Sequence, residues 1–330
     1  MPEKPIVAVT FRISDAGLRY LRDDYTVRIW PGDLPPSPDE LDVLLDGAVG
    51  ALTHGANKVD GNVLDRHPNL RVVSNYAVGY DNIDVPAATA RGVAVCNTPD
   101  VLTQATAELA FSLMLATARR IPEGVDYVRA GKWKTWGPQL LLGQPLTGAT
   151  VGIVGFGRIG KAFARMCTGF GTRILAWDRS PHTKTTDGMD VTFVDMDTLL
   201  AESDFVSIHV ALSDTTRHLI GAVELKKMKP TAILVNSARG PVVDTDALVE
   251  ALQGGEIFAA GLDVTDPEPI PADHPLVHMP NCVVIPHIGS ATTQTRNAMA
   301  ELAANNLVAV LQGRQPEAIL NPEVLENLTP

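Results

Sequence analysis

The chain has 330 residues, 45% of them hydrophobic, which at roughly 150 residues per domain suggests about two globular domains, each able to bury a core. The 27 Lys and Arg against 38 Asp and Glu leave a net charge of −11 without any basic run that could track a phosphate backbone, so nucleic acid is not an expected partner. No window approaches the ~20 apolar residues a bilayer crossing needs, so membrane spanning is excluded; Ile6 to Val9 is too short for the apolar centre of a secretory signal, and a cytoplasmic location is expected.

Short runs rich in Val, Ile and Ala alternate with amphipathic stretches from one end to the other, the pattern of parallel sheets covered by helices. The expected class is α/β. The first third offers strands at Ile6 to Thr10, Thr26 to Trp30, Gly47 to Leu52, Arg71 to Ser74 and Val93 to Cys96, with a helix in Ser14 to Asp24 capped by Ser14. A second series runs through Thr150 to Val154, Arg173 to Trp177, Phe205 to Val210, Ala232 to Asn236, Ala259 to Val264 and Cys282 to Ile285, so two sheets are implied. Between and after them, Thr103 to Arg119 and Thr292 to Leu311 are helical and read as connectors; if the second returns the chain to the first domain, that domain is discontinuous.

Glu123 to Leu146 has no clean period, yet carries Trp133, Trp136 and Leu140 to Leu142 among Gly and Pro. So much apolar area outside a regular element favours an interface, and a homodimer is expected, with intramolecular packing of Trp136 as the alternative. Cys96, Cys167 and Cys282 are odd in number and lack the paired spacing of a disulfide framework or zinc site, so they read as small buried hydrophobes and no metal is expected.

The apolar strand Val151 to Val154 runs into Gly155-Phe156-Gly157-Arg158-Ile159-Gly160, followed by a helical pattern over Lys161 to Phe170. This is the context a dinucleotide loop requires: the first glycine for the tight turn, the second for close approach to a pyrophosphate, the third for helix packing. Asp178 ends the next strand, where a carboxylate would accept hydrogen bonds from the adenosine ribose. Its charge favours NAD(H) over NADP(H), while Arg179 beside it could hold a 2′-phosphate and keeps NADP(H) open.

Ligands of open α/β sheets sit beyond the carboxyl ends of the strands. Three residues stand there: Arg239 in Asn-Ser-Ala-Arg-Gly, Glu268 after the strand ending at Val264, and His287 in Pro-His-Ile-Gly-Ser. Singly, each has a plain explanation as a surface Arg, a loop carboxylate or a satisfied histidine. Together they supply what hydride transfer to a 2-oxo acid needs: a cation for the carboxylate, a proton donor of suitable acidity, and a carboxylate favouring the protonated imidazole.

With these residues the chain resembles the D-isomer-specific 2-hydroxyacid dehydrogenases, most closely the glyoxylate/hydroxypyruvate reductase branch. The likeness covers nearly the whole chain. It is carried by the stretch from Asn75 to Asp84, Asn97 to Thr103, Ala105 to Glu108, the Gly155 loop, Asn236 to Gly240, Gly261 to Val264 and Pro286 to Ser290. The resemblance implies that His287 is the acid/base, Glu268 its partner and Arg239 the anchor of the substrate's carboxyl and carbonyl. It further implies that backbone at Val78 and Gly79, with Ser290, holds the substrate, and that the tryptophan matching Trp136 reaches toward the partner's pocket. Implied cofactor contacts are Thr106, Gly155, Phe156, Gly157, Arg158, Ile159, Gly160, Asp178, Arg179, Ser180, Val210, Ser237, Ala238, Arg239, Asp263, His287 and Gly289.

By the same likeness, residues 1–100 completed by 290–330 form a substrate-binding domain and 101–289 a dinucleotide-binding domain, two doubly wound Rossmann-like units with a cleft between them. The implied reaction is reversible NAD(P)H-dependent reduction of glyoxylate or hydroxypyruvate. Alternatives are a dehydrogenase of the phosphoglycerate or lactate type and an NAD-sensing, corepressor-like interaction protein. Two positions depart from relatives: archaeal glyoxylate reductases carry Ser where this chain has Asp178, and many members carry Pro where it has Ala211.

Overall fold

A computed structural model describes residues 3–327. The chain divides into two compact units, one built from the residues up to Leu102 together with those from Ala291 onward, the other from Thr103–Ser290.

The first unit contains β1 (Ile6–Val9), β2 (Thr26–Ile29), β3 (Ala48–Thr53), β4 (Val72–Asn75) and β5 (Ala94–Cys96), all parallel, in the order β2-β1-β3-β4-β5. Val7, Val9, Leu52, Val72 and Val73 are all fully buried, as expected of strands covered on both faces. Several covering helices begin at side-chain caps. Ser37 and Glu40 form a reciprocal box at the start of Pro38–Leu45, and Asp60 and Asp84 each accept first-turn amides. The helix Thr293–Leu311 starts at Thr292, whose side chain accepts from the Thr295 amide, and it packs Ala303, Leu307 and Leu311 into the core with Leu52 and Val72.

In the second unit β6 (Thr150–Val154), β7 (Arg173–Trp177), β8 (Val191–Phe193), β9 (Phe205–Ile208), β10 (Ile233–Asn236), β11 (Ala259–Leu262) and β12 (Cys282–Val284) form a parallel sheet in the order β12-β11-β10-β9-β6-β7-β8. Strand order reverses between β6 and β9, which opens a crevice at their carboxyl ends and makes that edge the place for a ligand. The helix Thr103–Ala118 covers β10 and β11, with Ala107, Ala110, Leu113 and Met114 in one core with Ile233 and Val235.

Several local expectations change. The stretch Ser14 to Asp24 yields only Asp15–Leu18; Ser14 sits at the cap position but its side chain makes no capping bond, and Gly17 lies against the Ala300 carbonyl, where a Cβ would come within 2.8 Å. β8 is a three-residue edge strand with no fully buried side chain, too short to show a period. β9, β11 and β12 end at Ile208, Leu262 and Val284, two, two and one residues sooner than expected, so the residues after them turn out into loops. Overlapping the start of the segment lacking a clean period, Ile121–Arg129 is a helix opened by Pro122; Ile121, Val125 and Val128 share one face, and that face is exposed. All three cysteines are buried free thiols, pushed up to about 12 by that burial.

Candidate active site

The glycine loop leaves β6 at Val154. Gly155 adopts φ +97°, and a Cβ there would lie 2.8 Å from the Val210 side chain and 2.9 Å from the backbone at His209 and Val210. At Gly160 a Cβ would collide with the Gly155 carbonyl oxygen, so this glycine lets the helix Arg158–Thr168 approach its own loop. A Cβ on Gly157 would meet nothing within 4 Å, so this face of the loop is open to an incoming group. Gly157 is also the helix N-cap and has no side chain to cap the first-turn amides, which suits them to an anion. Phe156 is buried and packs edge-on against Phe193 with centroids 5.4 Å apart; Ile159 is half-buried and Arg158 exposed.

Asp178 follows β7. Its Oδ2 accepts the Phe156 amide at 3.0 Å and its Oδ1 accepts the Ser180 amide at 3.0 Å. The Lys184 ammonium also lies 3.3 Å from Oδ2. Arg179 and Ser180 are exposed, with Arg179 Nη1 3.4 Å from Thr215 Oγ1. After β10, Asn236 organises the next turn, accepting the Ala238 amide at 3.0 Å and donating to the Arg239 carbonyl at 2.8 Å. Ser237 Oγ in this turn is buried without a hydrogen-bond partner. An orphaned hydroxyl, an open glycine and an uncapped helix start on the same sheet edge fit a dinucleotide.

Arg239 is half-buried, and its Nη1 donates to the Ala238 carbonyl at 2.8 Å. Gly240 follows, where a Cβ would collide with the Thr265 carbonyl, so the β10 and β11 loops are in direct backbone contact.

His287 lies beyond β12 in the left-handed region at φ 49°. Asp263 fixes that loop. Its carbonyl accepts the His287 amide at 2.8 Å, while its carboxylate accepts the amides of Ile288 at 2.7 Å and Gly289 at 2.8 Å. Gly289 in turn abuts Asp263 and Thr106, at 3.0 and 3.4 Å from where its Cβ would stand. Burial pushes the Asp263 carboxyl up, although the amides of Ile288 and Gly289 and the His287 charge pull against that. His287 Nδ1 pairs with Glu268 Oε1 at 2.6 Å, and Glu268 Oε2 accepts the Thr265 amide at 3.4 Å. Burial works to raise the Glu268 carboxyl, but the bond and charge of His287, the Thr265 amide and the Arg239 charge outweigh it, and it lies below the usual glutamate value.

The second unit therefore brings Arg239, Glu268 and His287 to the carboxyl edge that also carries the glycine loop, Asp178 and Ser237. Asp263, expected among the cofactor contacts, has both carboxylate oxygens engaged by the His287 loop and acts on that loop's shape. Ser290, half-buried, continues it. Sequence reasoning missed this brace, and it missed Lys184, whose only signal is a cation six residues after Asp178.

In the first unit, Val78 and Gly79 follow β4 in a loop held by its carbonyls: Asn97 Nδ2 donates to Val78 O at 2.9 Å and Asn75 Nδ2 to Gly79 O at 2.9 Å. Fixing the Val78 carbonyl turns the Gly79 N–H of the same trans peptide the opposite way. Trp136 is 79% exposed, and Trp133 and Leu142 are also exposed.

A sequence profile of the D-isomer-specific 2-hydroxyacid dehydrogenase NAD-binding domain matches residues 111–289. A glyoxylate reductase of Korarchaeum cryptofilum is 47% identical over 327 residues, 98% of each chain. Among solved structures, a protein from Thermus thermophilus aligns with TM-score 0.90 at 46% identity, covering 96% of this chain and 99% of that one. An NADPH-dependent glyoxylate/hydroxypyruvate reductase of Sinorhizobium meliloti in complex with NADP and malonate aligns with TM-score 0.84 at 33% identity, covering 96% of this chain and 97% of that one.

Proposed function

Because the chain belongs to the D-isomer-specific 2-hydroxyacid dehydrogenase family, we propose that it reduces glyoxylate and hydroxypyruvate to glycolate and D-glycerate, and oxidises these products in reverse. The observation that carries this reading is the His287–Glu268 pair at 2.6 Å, on the same sheet edge as Arg239 and an open glycine loop. The name borne by the relatives supports glyoxylate as substrate.

NAD(P)H, when bound, would supply the hydride for C2 of the acid. A carboxylate can only accept, so Glu268 takes the Nδ1 proton of His287 in a hydrogen bond and leaves Nε2 to deliver a proton to the carbonyl oxygen. Glu268 stays ionised and so favours the charged imidazole that has a proton to give. Arg239 pairs with the substrate carboxylate and draws electron density from the carbonyl, a charge-assisted role that a planar guanidinium suits. Val78, Gly79 and Ser290 add further hydrogen bonds to the acid. The Gly155–Gly160 loop, Thr106, Val210, Ser237 and Ala238 would hold the cofactor, and Asp178 would accept from its adenosine ribose and favour NADH. Residues up to about 100 with the C-terminal helix serve the substrate, and the rest serves the cofactor.

We place the protein in the cytoplasm as a homodimer. Among the described residues no helix is long and apolar enough to cross a membrane. The exposed face of Ile121, Val125 and Val128, together with Trp133, Trp136 and Leu142, is apolar area that a second copy would cover, with Trp136 reaching the partner's substrate. The test is NADH absorbance on adding glyoxylate, with glycolate as the product; absence of turnover with glyoxylate and hydroxypyruvate defeats the proposal.

A further inference from the structure

We propose that Lys184 admits a 2′-phosphate at the adenosine end of the cofactor site, so that NADPH binds alongside NADH despite Asp178. The inference rests on the dinucleotide reading of the Gly155 loop and concerns a side chain outside that loop.

A carboxylate offers about four lone-pair directions. Two donors already point at Asp178, the Phe156 and Ser180 amides at 3.0 Å each, and the Lys184 ammonium forms an ion pair with it at 3.3 Å. A ribose 2′,3′-diol asks a carboxylate to accept two hydrogen bonds, and Asp178 would have to offer them beside the Lys184 ammonium. The charge that would repel a 2′-phosphate is meanwhile offset by an adjacent ammonium. Side-chain exposures of 14% for Asp178 and 28% for Lys184 keep the pair partly out of solvent, where screening is weaker than on an open surface.

Two nearby cations are committed elsewhere: Lys161 bonds Thr185 and Asp187, and Arg165 lies 3.6 Å from Asp187, while Lys184 pairs with Asp178. Next to the pair, Arg179 and Ser180 are exposed on the same turn. A phosphate on the ribose 2′-oxygen would therefore meet an ammonium, a guanidinium and a hydroxyl, against one carboxylate. Without Lys184 the guanidinium and the carboxylate cancel.

The experiment titrates the cofactor-free protein with NADH and with NADPH, reading nucleotide fluorescence, in wild type, Lys184→Met and Lys184→Arg. The wild type binds NADPH within about tenfold of NADH. Lys184→Met weakens NADPH by about tenfold, equivalent to ~1.4 kcal/mol, while NADH stays level or tightens. Lys184→Arg retains NADPH, and added salt weakens NADPH more steeply than NADH in the wild type. An unchanged NADPH-to-NADH ratio in Lys184→Met overturns the role of Lys184. A folded wild type that binds neither nucleotide instead overturns the dinucleotide reading and this inference with it.

Discussion

Nδ1 of His287 lies 2.6 Å from Oε1 of Glu268, which fixes the ring and leaves Nε2 outside that bond. The Glu268 carboxyl lies below the usual glutamate value, so it remains ionised throughout the range in which an imidazole titrates. Because its folded value is lowered, any stability it contributes is complete above its unfolded value and is lost as the pH falls through the folded one.

Glu268→Gln removes the charge and keeps the shape. A neutral neighbour no longer favours imidazolium, so the limb on which carbonyl reduction is lost with rising pH should move to lower pH. The profile of kcat/KM for glyoxylate between about pH 5 and pH 9 is the readout. Superimposable profiles for variant and wild type would remove Glu268 from proton management.

Asp263→Asn should loosen the loop that carries His287. One carboxylate oxygen becomes an amide nitrogen facing a backbone N–H, either that of Ile288 or that of Gly289, now 2.7 and 2.8 Å from their acceptors. Leaving a buried donor unpaired costs about 1–3 kcal/mol. A lower melting temperature and a fall in kcat larger than any change in NADH affinity are expected. If kcat and melting temperature both match wild type, Asp263 does not brace His287.

Trp136→Ala tests how a small acid is selected. Glyoxylate offers few apolar atoms, so its binding rests on charge-assisted bonds, and selectivity must come from excluding bulkier acids. Wild type should reduce glyoxylate and hydroxypyruvate well, pyruvate poorly and phenylpyruvate scarcely at all; the variant should flatten that ranking and shift sedimentation toward monomer. Efficient phenylpyruvate reduction by the wild type would contradict the substrate assignment.

The parts of this protein legible in its sequence are those whose chemistry sits in one contiguous stretch. Gly155, Gly157 and Gly160 declare themselves within six residues: Gly155 and Gly160 each answer a steric demand of the chain, and Gly157 leaves the face of the loop open. His287, Glu268 and Arg239 could be paired only by placing each just beyond a strand of one parallel sheet. The Asp263 brace was not legible, because its partners lie 25 and 26 residues away and only the adjacency of β11 and β12 joins them. The helix Ile121–Arg129 was hidden by its surroundings: its apolar face meets solvent, and the Gly- and Pro-rich stretch after it blurs the period. Lys184 is invisible to spacing rules because it returns to Asp178 through a short turn of Pro181–Thr183.

Whether His287 donates the proton as hydride reaches glyoxylate is decided by comparing wild type and His287→Ala in glyoxylate-dependent NADH consumption, with NADH affinity measured in parallel. A positioned general acid contributes about 10² to 10⁴ in rate, so the variant should lose that much while binding NADH as wild type does. Wild-type turnover in His287→Ala would show that another group donates the proton.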